Sequence, residues 1–395
     1  MNPLLAVVMA SFLARLSYQM ARSPVLPRFA EHLGASPEMV GMVVAASTVT
    51  GVVFKLPAGA LSDLFGRRPV MLLGAIFFAL PPFFYPFVEN AASLLALRFV
   101  HGFATAIFSP VASAYVASLN DARRGTRLGW FSSANDVGAT AGPLIGGLVL
   151  YATSSFAASY WLVGFLGVLA FGAALLVPER ETRTATVESS LSARAADLRK
   201  GLSDVIATPA VLTAAAVEAA MYLGFGAFLG FLPLYARAAG LNDAAIAVVL
   251  ALELTIGVVA KPFAGSLSDR LGRKPVIVFG LFACAAALPL IFRMTSLAGL
   301  LATVPLLGLG VAAVTPATNA LIADLVAAQR LGTGMGVFGT IWDIGEAAGP
   351  IVAGILIGQI GYEPAFDVIA AIIAAVAVVF AARIRMATVP IARPK

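Results

Sequence analysis

Five acidic residues lie inside long apolar stretches of this 395-residue sequence: Asp136, Glu218, Glu253, Asp343 and Glu346. An ionisable group in hydrocarbon costs at least ~2.5 kcal/mol, so such residues mark functional sites or ion pairs. Desolvation disfavours the charged form of a carboxyl group, which lets it take up and release a proton near physiological pH. We expect the five to include a proton carrier. Asp136 and Glu218 rank first, and Glu253 and Asp343 follow.

Three arginines, Arg15, Arg22 and Arg98, lie in the same kind of stretch. A neighbouring arginine favours the charged carboxylate and so competes with the proton. We predict that Arg15 and Arg98 take part in proton coupling with the acids. For each of these charges the alternative is a static ion pair that holds helices together. Lys55 and Lys261, nearer the helix ends, are expected to extend toward the cytoplasmic surface.

Aromatic residues surround these charges at similar depth. We predict a substrate site formed by Arg15, Tyr18, Arg22, Asp136, Glu218, Tyr222, Phe225, Phe338 and Trp342. Five acids against three arginines indicate a net acidic, aromatic cavity, which suits lipophilic cations. The three arginines are equally compatible with an anionic metabolite or lipid headgroup, and ordinary packing is the alternative for each aromatic residue.

Composition places the protein in a membrane. The chain is 60% hydrophobic and 12% charged, whereas soluble domains carry about 25% charged residues. So little charge cannot cover a water-facing surface, which excludes a soluble enzyme, a disordered chain and a nucleic-acid-binding module. The net charge of +6 comes from short basic clusters between apolar runs. The single cysteine, Cys284, allows no internal disulfide.

Twelve apolar runs are long enough to cross a bilayer, since about 20 residues are needed. They are 4–28, 38–60, 70–88, 93–118, 128–151, 158–177, 210–235, 244–266, 275–292, 297–323, 332–358 and 364–382. The first run is too long for a cleavable signal. We predict an N-terminal bundle at 1–177, a cytoplasmic linker at 178–208 and a C-terminal bundle at 209–395.

The lysines and arginines predict the orientation. Eighteen of them fall on the side of the predicted membrane that carries both termini, and three fall on the other side. Positively charged loops stay in the cytoplasm. We therefore predict a multi-pass protein of the inner cell membrane with both termini in the cytoplasm.

Two segments of the chain occur twice. The segment from Lys55 to Pro69 matches the segment from Lys261 to Pro275, 206 residues later. The segment Asp136-Val-Gly-Ala-Thr-Ala-Gly-Pro143 matches Asp343-Ile-Gly-Glu-Ala-Ala-Gly-Pro350, 207 residues later. A nearly constant offset predicts two six-helix halves related as parallel repeats. Transporters built in this way hold their site between the halves, near the middle of the membrane.

These motifs resemble those of the major facilitator superfamily. Gly59-x-Leu-x-Asp63-x-x-Gly66-Arg67-Arg68 is similar to its loop 2–3 signature, and the copy at 265–274 to its loop 8–9 repeat. Arg98-x-x-His101-Gly102 resembles its fourth-span motif, where Gln is usual in place of His101. Gly138-x-x-x-Gly142-Pro143-x-x-Gly146 resembles the antiporter motif of twelve-span drug/proton exporters. The resemblance implies twelve helices in two pseudo-symmetric bundles, with spans 3, 6, 9 and 12 at the periphery.

The motifs suggest roles for further residues. We expect a cytoplasmic gate formed by Gly59, Asp63, Gly66, Arg67, Arg68, Gly265, Asp269 and Arg273, which latches helices and opens as the halves rock. Turn formation and membrane orientation alone are the alternative. Gly138, Gly142 and Gly146 share one helix face, which lets another helix approach closely. Pro143 should kink that helix. Close packing with no role in export direction is the alternative here.

Other energy sources and activities lack their motifs. No Gly-Lys pair occurs in the chain, so no phosphate-binding P-loop is present, and neither histidine belongs to an H-E-x-x-H zinc motif. We predict an all-α membrane protein, not an enzyme, that exports a small amphipathic compound by alternating access. It uses the proton gradient without a cofactor. Its expected partners are the substrate, protons and the lipid bilayer, with the protein a monomer and no nucleic acid bound. The alternatives are a proton- or sodium-coupled importer of a small metabolite and a non-transporting receptor or scaffold.

Overall fold

The structure, a computed structural model, describes residues 2–119, 124–179, 209–326 and 331–383. These residues form twelve long helices and no β-strand. The helices are α1 (Pro3–His32), α2 (Pro37–Phe65), α3 (Arg67–Phe87), α4 (Ala91–Ala117), α5 (Arg124–Thr153), α6 (Phe156–Leu175), α7 (Pro209–Ala238), α8 (Asp243–Leu271), α9 (Arg273–Ile291), α10 (Leu297–Leu325), α11 (Leu331–Ile360) and α12 (Tyr362–Arg383). Within α1, the residues Ala21–Val25 form a π-helical turn. The last turns of α3, Pro81–Phe87, are a 3-10 helix.

Among the described residues, eleven of these helices are long and apolar enough to cross a membrane. The exception is α5, which has the length, 30 residues, but carries serine, asparagine, aspartate and several glycines. The prediction of a twelve-helix, all-α membrane fold in two six-helix halves is confirmed. We call α1–α6 the N-half and α7–α12 the C-half. Residues 180–208, most of the predicted linker, lie outside the described part of the chain.

Turn and cap residues set the helix ends. Gly66 and Gly272 separate α2 from α3 and α8 from α9, each with a φ near +90° that an L side chain rarely adopts. At the opposite ends, Asn90 and Asn242 accept hydrogen bonds from backbone amides in the first turns of α4 and α8. We call the end of the bundle that holds the Gly66 and Gly272 turns the motif end, and the opposite end the far end.

The two halves meet along two seams, α2 against α11 and α5 against α8. Both seams are tight at the far end. Gly41 lies against the backbone of Pro350, and Gly147 against Ala247. Arg28 of α1 also binds Asp243 of α8 there, at 3.1 Å.

The motif end of the seams is looser. A side chain added at Gly59 of α2, Gly129 of α5 or Gly339 of α11 would meet no other atom within 4 Å. The halves are therefore sealed at the far end and separate toward the motif end.

Candidate functional site

A cavity of about 330 Å³ lies between the two halves. Its walls come from α1, α2, α4 and α5 of the N-half and from α7, α8, α10 and α11 of the C-half. The helices α3, α6, α9 and α12 contribute no lining residue, in agreement with their expected peripheral position. Apart from α5, each wall helix is apolar over most of its length, so its few polar residues stand out where they face the cavity.

The cavity brings together most of the predicted site residues. Those that line it are Arg15, Tyr18, Arg22, Asp136, Tyr222, Phe225, Glu253, Trp342, Asp343 and Glu346. Glu218, Arg98 and Phe338 do not line it. Tyr222 and Trp342 pack edge to face at 4.7 Å between ring centroids, which forms an aromatic wall on the C-half side. The site therefore combines charged groups with aromatic surface, as a receptor for an amphipathic compound requires.

Two ion pairs cross the cavity from one half to the other. Arg22 of α1 binds Glu346 of α11 at 2.5 Å, and the two side chains are only 9% and 14% exposed. Lys55 of α2 binds Asp343 of α11, also at 2.5 Å. The expectation that Lys55 extends to the cytoplasmic surface is wrong, because a carboxylate of the other half lies within its reach. Lys261 also turns inward and lines the cavity.

Four further charged residues line the cavity without an ion pair. For Arg15, Asp136, Glu253 and Lys261, no oppositely charged atom lies within 4.0 Å among the described residues. Glu253 is 1% exposed, and its Oε2 has no hydrogen-bond partner in the described part of the chain. A carboxylate so placed carries a large desolvation cost unless it is neutralised.

The expected excess of acid in the cavity is not there. Its lining holds four cationic groups, Arg15, Arg22, Lys55 and Lys261, and four acids, Asp136, Glu253, Asp343 and Glu346. The sequence-based count was wrong for two reasons. It left out the two lysines, and it included Glu218 and Arg98, which do not face the cavity.

Glu218 lies inside the C-half, between α7 and α10. It is fully buried. The hydroxyl of Thr318 donates a hydrogen bond to its Oε2, while Oε1 has no partner among the described residues. Its side chain points into the bundle and not into the cavity.

Arg98 lies fully buried in the N-half, in a cluster of aromatic residues. Its guanidinium carbon is 4.7 Å from the ring centroid of Tyr18, and its Nη1 is 3.4 Å from Nδ1 of His101. The hydroxyl of Tyr85 lies 3.1 Å from the same His101 nitrogen. No carboxylate lies within 4.0 Å of Arg98 in the described residues. Of the residues that contact Arg98, Tyr18 lines the cavity.

The predicted gate residues make contacts within each half. Arg273 binds Asp269 of α8 and, at 3.3 Å, Asp324 of α10. Arg68 donates to the backbone oxygens of Val177 and Leu175, at 2.7 and 3.1 Å. These contacts tie neighbouring helices of one half together at the motif end.

The remaining gate residues make few contacts in the described part of the chain. Gly66 forms the turn between α2 and α3, and the Arg67 Nε is buried without a partner in the described residues. Gly59 is surrounded by open space, and Gly265 meets only Pro316 of its own half. The side chain of Asp63 lies outside the described residues. A latch that opens and closes remains a prediction.

The glycine row of α5 packs against α1. A Cβ at Gly142 would lie 2.8 Å from both the Cβ of Gln19 and the backbone nitrogen of Met20. At Gly138 the Cβ would lie 3.0 Å from the Phe12 oxygen, and at Gly146 it would lie 2.8 Å from the Met20 oxygen. Pro143 lies inside the same continuous helix. These contacts account for the spacing of the glycines by close packing inside the N-half.

Comparison with known proteins places these features in a family. The family description "Major Facilitator Superfamily" matches residues 7–253 and 214–395. An uncharacterised MFS-type transporter of Methanocaldococcus jannaschii is 25% identical over 345 residues, covering 86% of this chain and 87% of that protein. The multi-drug resistance efflux pump PmrA of Streptococcus pneumoniae is 24% identical over 354 residues, with 87% and 86% covered. A crystal structure of a variant of the nucleoside transporter NupG has the same fold, with a TM-score of 0.79, 13% identity, and 96% and 99% covered.

Proposed function

The chain belongs to the Major Facilitator Superfamily of membrane transporters, and from this premise we propose that it exports a small amphipathic compound in exchange for protons. The observation that carries the proposal is the cavity between the halves. It combines an aromatic wall with carboxyl groups that have no ion-pair partner among the described residues. Such groups can exchange protons with water that enters the cavity.

The acids divide into two classes by their partners. Asp343 and Glu346 are held by Lys55 and Arg22, so a proton would have to displace a cation to bind them. Glu253 and Asp136 line the cavity without an ion pair. We assign the transported proton to Glu253 and Asp136, with Glu218 as a buried acceptor behind the wall. Arg15, which lines the cavity beside Asp136, supplies the competing positive charge.

The open end of the cavity is proposed to face the cytoplasm. Arg67, Arg68, Arg270, Arg273 and Lys274 cluster at the motif end, and positive residues are retained on the cytoplasmic side of membranes. The compound would then enter from the cytoplasm and leave after the halves close at the motif end and open at the far end.

Two features support export of an amphipathic compound. The relative PmrA is an efflux pump by name, over nearly the whole of both chains. Tyr18, Tyr222, Phe225 and Trp342 offer ring faces to an apolar or cationic body. Because the charges of the lining balance, both cationic and anionic amphiphiles belong in a substrate screen.

The test uses purified protein in liposomes. Vesicles two pH units more acidic inside than outside should accumulate a transported compound, as protons leave and the compound enters. Each coupled proton supports about a hundredfold accumulation, since one pH unit corresponds to about 1.36 kcal/mol. Glu253→Gln should abolish this accumulation and leave exchange of labelled for unlabelled compound intact. Glu89→Gln, at an exposed loop residue, is the matched control and should behave as the wild type.

The outcomes separate the alternatives. A symporter loses compound from these vesicles and gains it under the opposite gradient. A receptor or scaffold moves no compound under either gradient. If Glu253→Gln retains full proton-driven accumulation, Glu253 is not the proton carrier, and the same measurement on Asp136→Asn and Glu218→Gln decides between the remaining acids.

A further inference from the structure

The internal repeat makes two residue pairs equivalent. Lys55 lies ten residues before the end of α2, and Lys261 lies ten residues before the end of α8. Asp136 lies twelve residues after the start of α5, and Asp343 twelve after the start of α11. At 1.5 Å per residue these positions are ~15 and ~18 Å from the motif end. All four side chains line the central cavity.

Each pair belongs to one of the two seams between the halves. Lys55 and Asp343 face each other across the α2–α11 seam and are joined at 2.5 Å. Lys261 and Asp136 belong to the α8–α5 seam, at the corresponding depth. Neither residue has an ion-pair partner within 4.0 Å in the described part of the chain. The same two residue types at equivalent positions are thus joined on one seam and apart on the other.

We propose that Lys261 and Asp136 form a second ion pair between the halves when the cavity closes toward the motif end. The α5–α8 seam is already in contact at the far end, where Gly147 meets Ala247. Rocking about that contact brings the parts of α5 and α8 nearer the motif end together, and Asp136 and Lys261 are the oppositely charged residues that line the cavity on these two helices. The proposal rests on the alternating-access function proposed above and names a positioning pair for it.

The pair would link closure to the content of the cavity. Asp136 lines the cavity while the seam is open, and binding Lys261 withdraws it from the lining. A positively charged group held at Asp136 therefore opposes closure, and the export proposed above requires that the aromatic wall and other groups of the lining hold the cargo when the seam closes. By thermodynamic linkage, a group that binds Asp136 more tightly in the open-seam conformation than in the closed one shifts the equilibrium toward the open seam.

Distances between spin labels measure the closure directly. Gly129 of α5 and Gly265 of α8 have no neighbouring atom from the other half, so labelled cysteines at these positions fit, in a Cys284→Ala background. A second pair of labels at Gly59 and Gly339 follows closure on the other seam, and Lys261→Arg is the matched control. Arg28→Ala removes the far-end ion pair with Asp243 and should raise the fraction of molecules closed at the motif end.

The expected result is a short-distance population between positions 129 and 265 in the Arg28→Ala protein. Lys261→Gln should reduce that population at least fivefold, and Lys261→Arg, which keeps the charge, should retain it. The reversed pair Asp136→Lys with Lys261→Asp should restore it. In Lys261→Gln the distance between positions 59 and 339 should lengthen as well, because the two halves rock about the far-end contact and both seams report the same closure.

Two outcomes would refute the Lys261–Asp136 ion pair. One is that the short-distance population between positions 129 and 265 never appears, and the other is that this population keeps its size in Lys261→Gln. If the reversed pair fails to fold, the comparison of Lys261→Gln with Lys261→Arg, which keeps the charge, still decides the test. The measurement needs no substrate, so its result is separate from that of the liposome assay. Absence of transport in liposomes would refute the proposed function, whereas unresponsive distances would refute only this ion pair.

Discussion

Removing Arg22 should destabilise the protein because it leaves Glu346 without its counter-charge. The two groups are joined at 2.5 Å with side chains only 9% and 14% exposed. Removing one partner of a buried ion pair costs about 3–5 kcal/mol, and water in the adjoining cavity lowers this to an expected 2–4 kcal/mol for Arg22→Gln. The double variant Arg22→Gln/Glu346→Gln contains two neutral amides. It should lie within about 1 kcal/mol of the wild type, because no charge is left uncompensated.

The assay is a double-mutant cycle on the free energy of unfolding in detergent. Glu346→Gln leaves Arg22 unpaired and should cost a similar amount, so the coupling between the two positions should be about 3 kcal/mol or more, well beyond the 0.3–0.5 kcal/mol within which independent sites add. Arg293→Gln serves as the matched control. The side chains of its ion pair with Asp367 are 40% and 44% exposed, and solvent screening makes the contribution of such a pair to stability small. Strictly additive effects at Arg22 and Glu346 would show that the pair contributes nothing to holding the halves together.

Two further predictions concern the N-half. Gly142→Ala should lower the free energy of unfolding by about 1–3 kcal/mol, because the new methyl group overlaps the Met20 backbone. Gly129→Ala, in open space on the same helix, should be neutral or stabilising by up to about 1 kcal/mol. Equal thermal midpoints for the two variants would contradict the close packing. Arg98→Lys should fold but lose at least tenfold in transport, because an ammonium group cannot stack on Tyr18 as a planar guanidinium does. Wild-type flux in that variant would remove Arg98 from the coupling machinery.

The fold could be predicted from sequence because its two signals are strong. Apolar runs of about 20 residues give the spans, and the repeat offset gives their division into halves. The case of α5 shows why both signals are needed. We counted 128–151 among the apolar runs, but its polar and glycine residues make α5 the one long described helix that is not apolar enough to be recognised as a membrane span, and the motif shared with α11 is the second signal for it. The end of α2 was placed at residue 60 but lies at Phe65, because the loop signature continues the helix up to the Gly66 turn.

The candidate site could be predicted only in part, because sequence gives depth more readily than direction. Asp136, Glu253 and Asp343 line the cavity, while Glu218 and Arg98, which also lie inside predicted spans, point into their own halves. A helix that is apolar on every face carries no amphipathic pattern from which its rotation can be read. Depth along the helix follows from counting residues, but the direction of a side chain depends on the packing of neighbouring helices.

Lys55 shows why the contacts between the halves could not be predicted. For a single helix the nearest water is at the membrane surface, and a lysine is expected to extend there. In the assembled bundle the cavity brings water and a carboxylate to mid-depth, and Lys55 binds Asp343 instead. The repeat makes Lys261 and Asp136 equivalent to that pair, but equivalent positions do not guarantee equal contacts. A transporter must keep its conformations within a few kcal/mol of one another. Ion pairs on both seams, added to Arg22–Glu346 and Arg28–Asp243, would favour one conformation too strongly. Because only the α2–α11 seam carries an ion pair at this depth among the described residues, Lys261 and Asp136 are available to bind each other and stabilise the conformation that is closed at the motif end.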